Sequence, residues 1–212
     1  MSNGSIPLRV ALAERHTNDS RTYKILMSIV SDTLEFAIHP SELRAVAKAL
    51  IEQLEIGPDL DWIIGFSQGG VPLAIAVAYE LDIPLLIAYR SQMPLPDAIT
   101  FREPHAFDDT FYLYGLTQGT VLLIDDEVDN GNTLANAVIA LRDNGIRVAD
   151  VAAGVEALHS GDSRGRRRLD DLGLNLKAAC RFEIDSPAPE FLRGTWTEKA
   201  AAARRTEGLQ AR

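Results

Sequence analysis

The stretch that most constrains this chain is Val121-Leu122-Leu123-Ile124-Asp125-Asp126. Four consecutive apolar residues, without polar alternation, read as a strand covered on both faces, as in a parallel sheet. Two carboxylates close the run. Glu127-Val128-Asp129-Asn130-Gly131-Asn132-Thr133 then form a turn rich in Asp, Asn and Gly. A helical pattern follows from Thr133 to Arg142, with Gly145 as its stop. A helix N-terminus offers unpaired N–H groups and partial positive charge, which suits a phosphate. Gly131 permits the tight backbone path, and Thr133 can add a hydroxyl donor. Paired carboxylates beside such a pocket can take ribose hydroxyls or the water ligands of Mg²⁺. The plainer alternative is an acidic turn with a capping residue.

The rest of the chain alternates in the same way. Leu43, Val46, Ala47, Leu50, Ile51 and Leu54 share one face of a helix that starts at Pro40 or Ser41 and stops at Gly57-Pro58. Trp62-Ile63-Ile64 reads as a buried strand ending in Gly65-Phe66-Ser67-Gln68-Gly69-Gly70, and Val71 to Leu81 as an apolar helix. Strands are expected at Pro84–Tyr89, Val148–Val155 and Leu174–Ile184, whereas Ile6 to Ala37 has no clean period. Residues 91 to 110 carry Pro94, Pro96 and Pro104 with several charges, and read as a long loop of the kind that forms lids. The expected fold is therefore α/β, a parallel, Rossmann-like sheet flanked by helices, with the ligand at the carboxyl ends of its strands. The Gly65–Gly70 loop, Arg90 and the Asp125–Thr133 loop occupy that position.

Composition narrows the function. The net charge is −9, against a general nucleic-acid binder. The basic cluster Arg164, Arg166, Arg167, Arg168 runs straight into Asp170 and Asp171, so a solvated helix face is the default reading, with a small anion as the alternative. Only four lysines exist, Lys24, Lys48, Lys177 and Lys199, so a phosphate clamp must use arginines, backbone N–H groups and metal. Cys180 is the one cysteine and lies in an apolar run, which reads as buried core in a reducing, cytoplasmic setting. No apolar run reaches the roughly 20 residues of a bilayer span, and Met1–Pro7 lacks a signal-peptide pattern. The tail from Thr195 is rich in Ala, Arg and Glu and is expected to fray.

The Asp125–Thr133 segment resembles the phosphoribosyl-pyrophosphate motif of type I phosphoribosyltransferases: an apolar strand, two acidic residues, a short variable stretch, then Thr-Gly-x-Thr. Asp125, Asp126, Gly131 and Thr133 match; Asn130 stands for the first Thr, and Glu127 for a usually apolar residue. The resemblance implies that Asp125 and Asp126 hold the ribose hydroxyls while Asp129, Asn130, Gly131, Asn132 and Thr133 wrap the 5-phosphate. It implies Mg²⁺ as cofactor, bound through pyrophosphate and ribose hydroxyls with Asp125 and Asp126 as the protein's carboxylates. In the hypoxanthine-guanine branch an Asp at the place of Asp129 exchanges a proton with the base; a solvent-facing loop Asp is the equal alternative. Ser67, Gln68, Gly69 and Gly70 stand where the adenine branch carries its pyrophosphate loop, Gly-Ile-Glu-Ser-Arg-Gly-Phe, without the Arg. Arg90 matches the first residue of that branch's Arg-Lys pair, and Ser91 replaces the Lys. Arg102 and Glu103 fall in the segment equivalent to its mobile catalytic loop, and Gly165 to Leu169 resembles its Gly-Gly-Arg-x-x-Leu run.

The resemblance spans roughly residues 40 to 185. It implies a hood at residues 1–39 over the base, a core at 40–190 and a tail at 195–212. Tyr23, Phe36 and Phe66 are candidates to stack on a base, or simply core. The implied activity is transfer of a phosphoribosyl group to a purine or purine-like base, in a homodimer that binds neither nucleic acid nor membrane. One alternative is a non-catalytic phosphoribosyl-pyrophosphate-binding regulator. The other is a response-regulator receiver domain, whose opening strand the Val121–Glu127 run also resembles. Too little chain follows Asp126 for the latter, and no later strand ends in a suitable Asp or Lys.

Overall fold

A computed structural model describes residues 10–16, 22–28, 40–55, 57, 59–66, 68–103, 110–183 and 191–192. Strands β1 (Val10–His16) and β2 (Thr22–Ser28) pair antiparallel as a hairpin, from Val10 opposite Ser28 to His16 opposite Thr22. The lack of a clean period from Ile6 to Ala37 gives no sign of this hairpin. Both strands mix charged and apolar residues without strict alternation, so period-two reading fails on them.

Helix α1 (Pro40–Ile51) starts on proline, whose fixed φ and missing N–H suit a first turn. Strand β3 (Trp62–Phe66), helix α2 (Gly70–Leu81) and strand β4 (Leu85–Ala88) follow. Next come β5 (Ile99–Arg102), β6 (Thr110–Leu113), β7 (Thr120–Val128), α3 (Asn132–Asp143), β8 (Arg147–Leu158), α4 (Arg164–Asp170), β9 (Lys177–Glu183) and β10 (Phe191–Leu192). The main sheet has the order β10-β9-β8-β7-β3-β4. Its strands run parallel except β10, which is antiparallel to β9.

Two cores cover the two faces. Ile63, Leu122 and Ile124 point to one face and pack with Val46, Leu50, Leu73 and Val77 from α1 and α2. Ile64, Val121 and Leu123 point to the other, against Leu134, Val138 and Leu141 of α3 and Leu169 of α4. Alternate residues of one apolar run thus feed opposite cores, which is why the run shows no polar alternation. Each such burial contributes about 1.5–3 kcal/mol. Cys180 is buried, as expected, and desolvation pushes its thiol well up. Among the described residues no helix is long and apolar enough to cross a membrane.

Several expectations change. Strand β7 continues past the acidic pair to Val128, and β8 extends to Leu158. Within the expected lid loop, Ile99–Arg102 and Thr110 instead belong to the antiparallel pair β5–β6, registered from Ile99 opposite Leu113 to Arg102 opposite Thr110. Its inward residues Ile99, Phe101, Phe111 and Leu113 are buried. Phe66 meets Phe101 and Phe111 edge-on, both at 5.7 Å between centroids, so Phe66 is core and not a base-stacking ring. Phe36, Ser67, residues 104–109 and the tail lie outside the described residues.

Arg166 corrects the solvated-face reading of the arginine cluster. Its Nε and Nη2 donate to Glu156 at 2.8 and 2.7 Å, and its Nη1 donates to Asn175 Oδ1 and to the carbonyl of Leu176. Arg181 Nε adds a bond to Glu156 Oε2 at 2.9 Å. Burial opposes ionisation of Glu156, which is 0% exposed. Hydrogen bonds from Arg166 and Ser163 and the two guanidinium charges outweigh it and hold the carboxyl below its ordinary range. Removing one partner of a buried pair leaves a charge uncompensated, typically at 3–5 kcal/mol. Because Arg181 remains, Arg166→Ala should destabilise by about 3 kcal/mol at neutral pH. A group with a lowered folded pKa contributes stability above its unfolded pKa and loses it as pH falls through the folded one. The gap between wild type and Arg166→Ala, measured by urea unfolding, should therefore shrink as Glu156 protonates in acid.

Candidate active site

Strand β4 lies beyond β3 on one side of the sheet, and β8 lies beyond β7 on the other. The winding direction reverses between β3 and β7, which pair directly from Trp62 opposite Val121 to Gly65 opposite Ile124. Such a reversal opens a crevice at the carboxyl ends of the two strands. The loops that leave β3 and β7 there are the two that carry the candidate residues, and each feeds a helix.

The loops interlock through glycine. A Cβ on Gly69 would lie 2.3 Å from Asp126 Oδ2, and one on Gly70 would lie 3.0 Å from the carbonyl of Ile124 and 3.2 Å from Asp125 Oδ1. Gly69 has ordinary helical φ and ψ and serves as N-cap of α2. Close approach, and not backbone freedom, is what requires glycine here. The Asp126 carboxylate thereby sits against the first turn of α2, where the helix dipole favours negative charge. Gln68 is exposed in the same turn, and its carbonyl accepts from Val71 N at 3.4 Å.

Asp125 and Asp126 are half-buried at the end of β7, and Asp125 Oδ1 accepts from Asp126 N at 3.0 Å. Burial, then the charge of Asp126, pushes the Asp125 carboxyl well above the usual range; burial also raises Asp126. Glu127 is raised well by burial and by the charges of Asp126 and Asp129. Hydroxyl donors or a cation at this strand end would relieve that cost. Among the described residues no group of three or more His, Cys, Asp or Glu forms a metal cage. A half-buried carboxylate pair instead suits Mg²⁺, which keeps several waters and binds through one or two carboxylates plus substrate phosphates.

The loop after β7 has a defined shape. Asn130 Oδ1 accepts from Asn132 N at 2.8 Å, so its side chain acts as an acceptor that folds the turn. Gly131 takes the left-handed conformation, φ 70, at the N-cap of α3, and Thr133 lies half-buried in that helix's first turn. A Cβ on Gly131 would lie 2.8 Å from Gly165 Cα, so the start of α4 packs directly behind the loop. Gly165 N donates to the carbonyl of Asp129 at 3.0 Å. Asp129 is not a free loop carboxylate: its Oδ1 lies 2.7 Å from His159 Nε2.

Sequence reading missed His159, which follows β8 thirty positions after its partner. The available signal was its place at the carboxyl end of a strand beside β7. Arg90 pairs with Glu103 and lies 4.5 Å over the Phe111 ring. The carbonyl of Arg102 accepts from Asn136 Nδ2 of α3 at 2.7 Å, while its side chain is exposed. The charge of Glu103 is among those that raise Asp125 and Asp126, so Glu103, the residue after β5, lies toward the acidic pair, and its ion pair with Arg90 joins it to the segment after β4. Receiver-domain topology is set aside, since β7 is an interior strand reached after a full α/β unit and not an opening one.

The sequence profile of the phosphoribosyl transferase family matches residues 10–182. The chain belongs to that family. It is a phosphoribosyltransferase of the type I fold, with a parallel sheet flanked by helices. A hypoxanthine/guanine phosphoribosyltransferase of Methanocella paludicola is 26% identical over 173 residues, 81% of this chain and 86% of that protein. An HGPRTase-like protein of Halorhabdus utahensis is 23% identical, covering 84% of this chain and 92% of its own. Among solved structures, adenine phosphoribosyltransferase from Thermoanaerobacter pseudethanolicus superposes with a TM-score of 0.61 at 17% identity, over 81% of this chain and 95% of that one. Orotate phosphoribosyltransferase from Aeropyrum pernix gives 0.55 at 18% identity, over 82% and 88%.

The crowded carboxylates of this phosphoribosyltransferase make its stability depend on pH. A carboxyl whose folded pKa is raised favours the fold below its unfolded pKa, and that stability is lost as pH rises through the folded value. Asp125→Asn removes one such group. It should raise the melting temperature of the ligand-free enzyme at pH 7–8, with the gain fading towards about pH 4, near the unfolded pKa of Asp. Calorimetry across that range checks the sign.

Proposed function

We propose that this phosphoribosyltransferase transfers the 5-phosphoribosyl group of phosphoribosyl pyrophosphate to a purine or purine-like base and releases pyrophosphate. The observation that carries the reading is the meeting of the Asp125–Asp126 pair with the Gly69–Gly70 turn at the switch point of the sheet. In this reading Asp125 and Asp126 accept from the ribose hydroxyls, which eases their burial. The turn from Asn130 to Thr133 and the start of α3 take the 5-phosphate on backbone N–H groups. The backbone of Gly69 and Gly70, with Ser67 and Gln68, takes the pyrophosphate, and Arg90, just after β4, supplies its positive charge.

Asp125 and Asp126 would also hold water ligands of Mg²⁺. Bound there, the ion would neutralise charge developing on the leaving pyrophosphate. Arg102 and Glu103, on the hairpin beside the acidic pair, would close the site to water. Asp129 would take the proton that the base gives up. The purine assignment draws support from the hypoxanthine/guanine names of the archaeal relatives and from the carboxylate at position 129. Residues 1–39 are proposed as the hood, 40–190 as the core and 195–212 as the tail. The homodimer and the cytoplasmic setting belong to the same proposal; Ile75 and Tyr79, exposed 51% and 76% on the outer face of α2, support the former.

Phosphoribosyl pyrophosphate with Mg²⁺ should stabilise the fold by about 2.7 kcal/mol at 100 times its dissociation constant. Thermal melts measure this, and an unmoved transition at millimolar ligand refutes the binding. Pyrophosphate release over a panel of bases tests the substrate. Turnover is expected with a 6-oxopurine or a related purine; turnover with orotate or uracil alone would replace the purine assignment.

A further inference from the structure

The turn that follows β8 is more tightly built than a connection to α4 requires. His159 N donates to the carbonyl of Asp162 at 2.8 Å, and Asp162 N returns a bond to His159 O at 3.0 Å. Between them Ser160 takes a left-handed φ of 53, which side chains disfavour, and Gly161 takes φ 80. Glu183, the last residue of β9, grips the turn with both oxygens: Oε1 accepts from Ser160 N at 2.8 Å and Oε2 from Gly161 N at 2.7 Å. Arg167 of α4 pairs with Asp162 at 2.7 Å. Bonds within the turn and two elements, β9 and α4, thus hold it, and what it delivers is an imidazole 2.7 Å from Asp129 Oδ1. The main chain of Asp129 is fixed as well, by Gly165 N.

Resting on the transferase reading above, we propose that His159 is a positioning residue: it occupies Oδ1 of Asp129 and leaves Oδ2 to receive the proton of the base. An ionised carboxylate only accepts, so the imidazole Nε2 carries the proton in this pair. The Asp129 side chain is 43% exposed, and without that bond it is free to rotate towards solvent. During transfer the base nitrogen bonds to the anomeric carbon while the bond from that carbon to the pyrophosphate oxygen breaks. The electron pair leaves with pyrophosphate, and the N–H proton of the base passes to Asp129 Oδ2. His159 keeps its own proton throughout. Its role is to aim the acceptor.

Four variants test this: H159A, H159Q, D129N and H159A/D129N, assayed with Mg²⁺, saturating phosphoribosyl pyrophosphate and the best base of the panel. H159A should lower kcat about 10²-fold, the usual cost of misplacing a reacting group by an ångström, with KM for phosphoribosyl pyrophosphate within about twofold. H159Q, whose amide can donate to the same oxygen, should recover most of that loss. The double variant should be no slower than D129N alone, since residues acting as a unit are not additive. An unchanged kcat in H159A, losses that multiply in the double variant, or a folded H159Q as slow as H159A each overturns the proposal. A second readout needs no turnover. The ¹⁵N shifts of the His159 ring, assigned by their absence in H159Q, should report the Nε2–H tautomer in wild type and lose that preference in D129N. Persistence of the tautomer in D129N overturns the pairing. A wild-type enzyme silent on every base, but with this signature intact, counts against the transferase reading and supports the pairing.

Discussion

Everything in the site depends on how closely the first turn of α2 can approach the end of β7. Gly69 and Gly70 have no side chain to hold the helix away, so its amide-rich end comes to rest against two carboxylates. Neither group is comfortable alone. The helix end has N–H groups to satisfy, and the carboxylates, desolvated by burial and near the charge of Glu103, resist ionisation. A ligand with hydroxyls beside phosphates answers both needs at once. In the proposed reading, recognition is therefore set by the spacing of two backbone segments, and that spacing by the pairing of β3 with β7.

The opposite wall is built on a different principle. There a buried charge network, Glu156 with Arg166 and Arg181, ties α4 to β8 and β9 from within. The first turn of α4 is in turn pressed against Gly131. The Asp129–Thr133 loop carries no apolar side chain of its own; it borrows rigidity from a polar interior one layer behind. Polar residues serve this purpose because directional bonds fix an orientation as well as a distance.

How far could this be read from residues alone? The central strand, both loops and the α/β class were legible because the Val121–Ile124 run and the glycine turns are local signals. The fuller extent of β7 was not, since a strand that carries Asp125, Asp126 and Glu127 to its end looks finished at the first carboxylate. The β5–β6 hairpin was hidden because each strand is four residues long, too short for alternation to stand out among prolines. Arg166 looked solvated because its partner, Glu156, lies in the interior of an apparently apolar strand. His159 and Asp129 meet only because β8 lies beside β7, a fact of topology that no window of sequence contains.

The contact between Gly131 and Gly165 has a mechanical consequence. Two backbones that touch with no side chain between them have no cushion: no rotamer can shift to absorb a displacement. A movement of the first turn of α4, from whatever cause, is handed on to the loop undiminished, because packed interiors are stiff. The two positions are not equivalent: a methyl group added at Gly131 must move the backbone of Gly165, whereas one added at Gly165 meets Val128 Cγ1 first and the backbone of Asp129 and Gly131 after it.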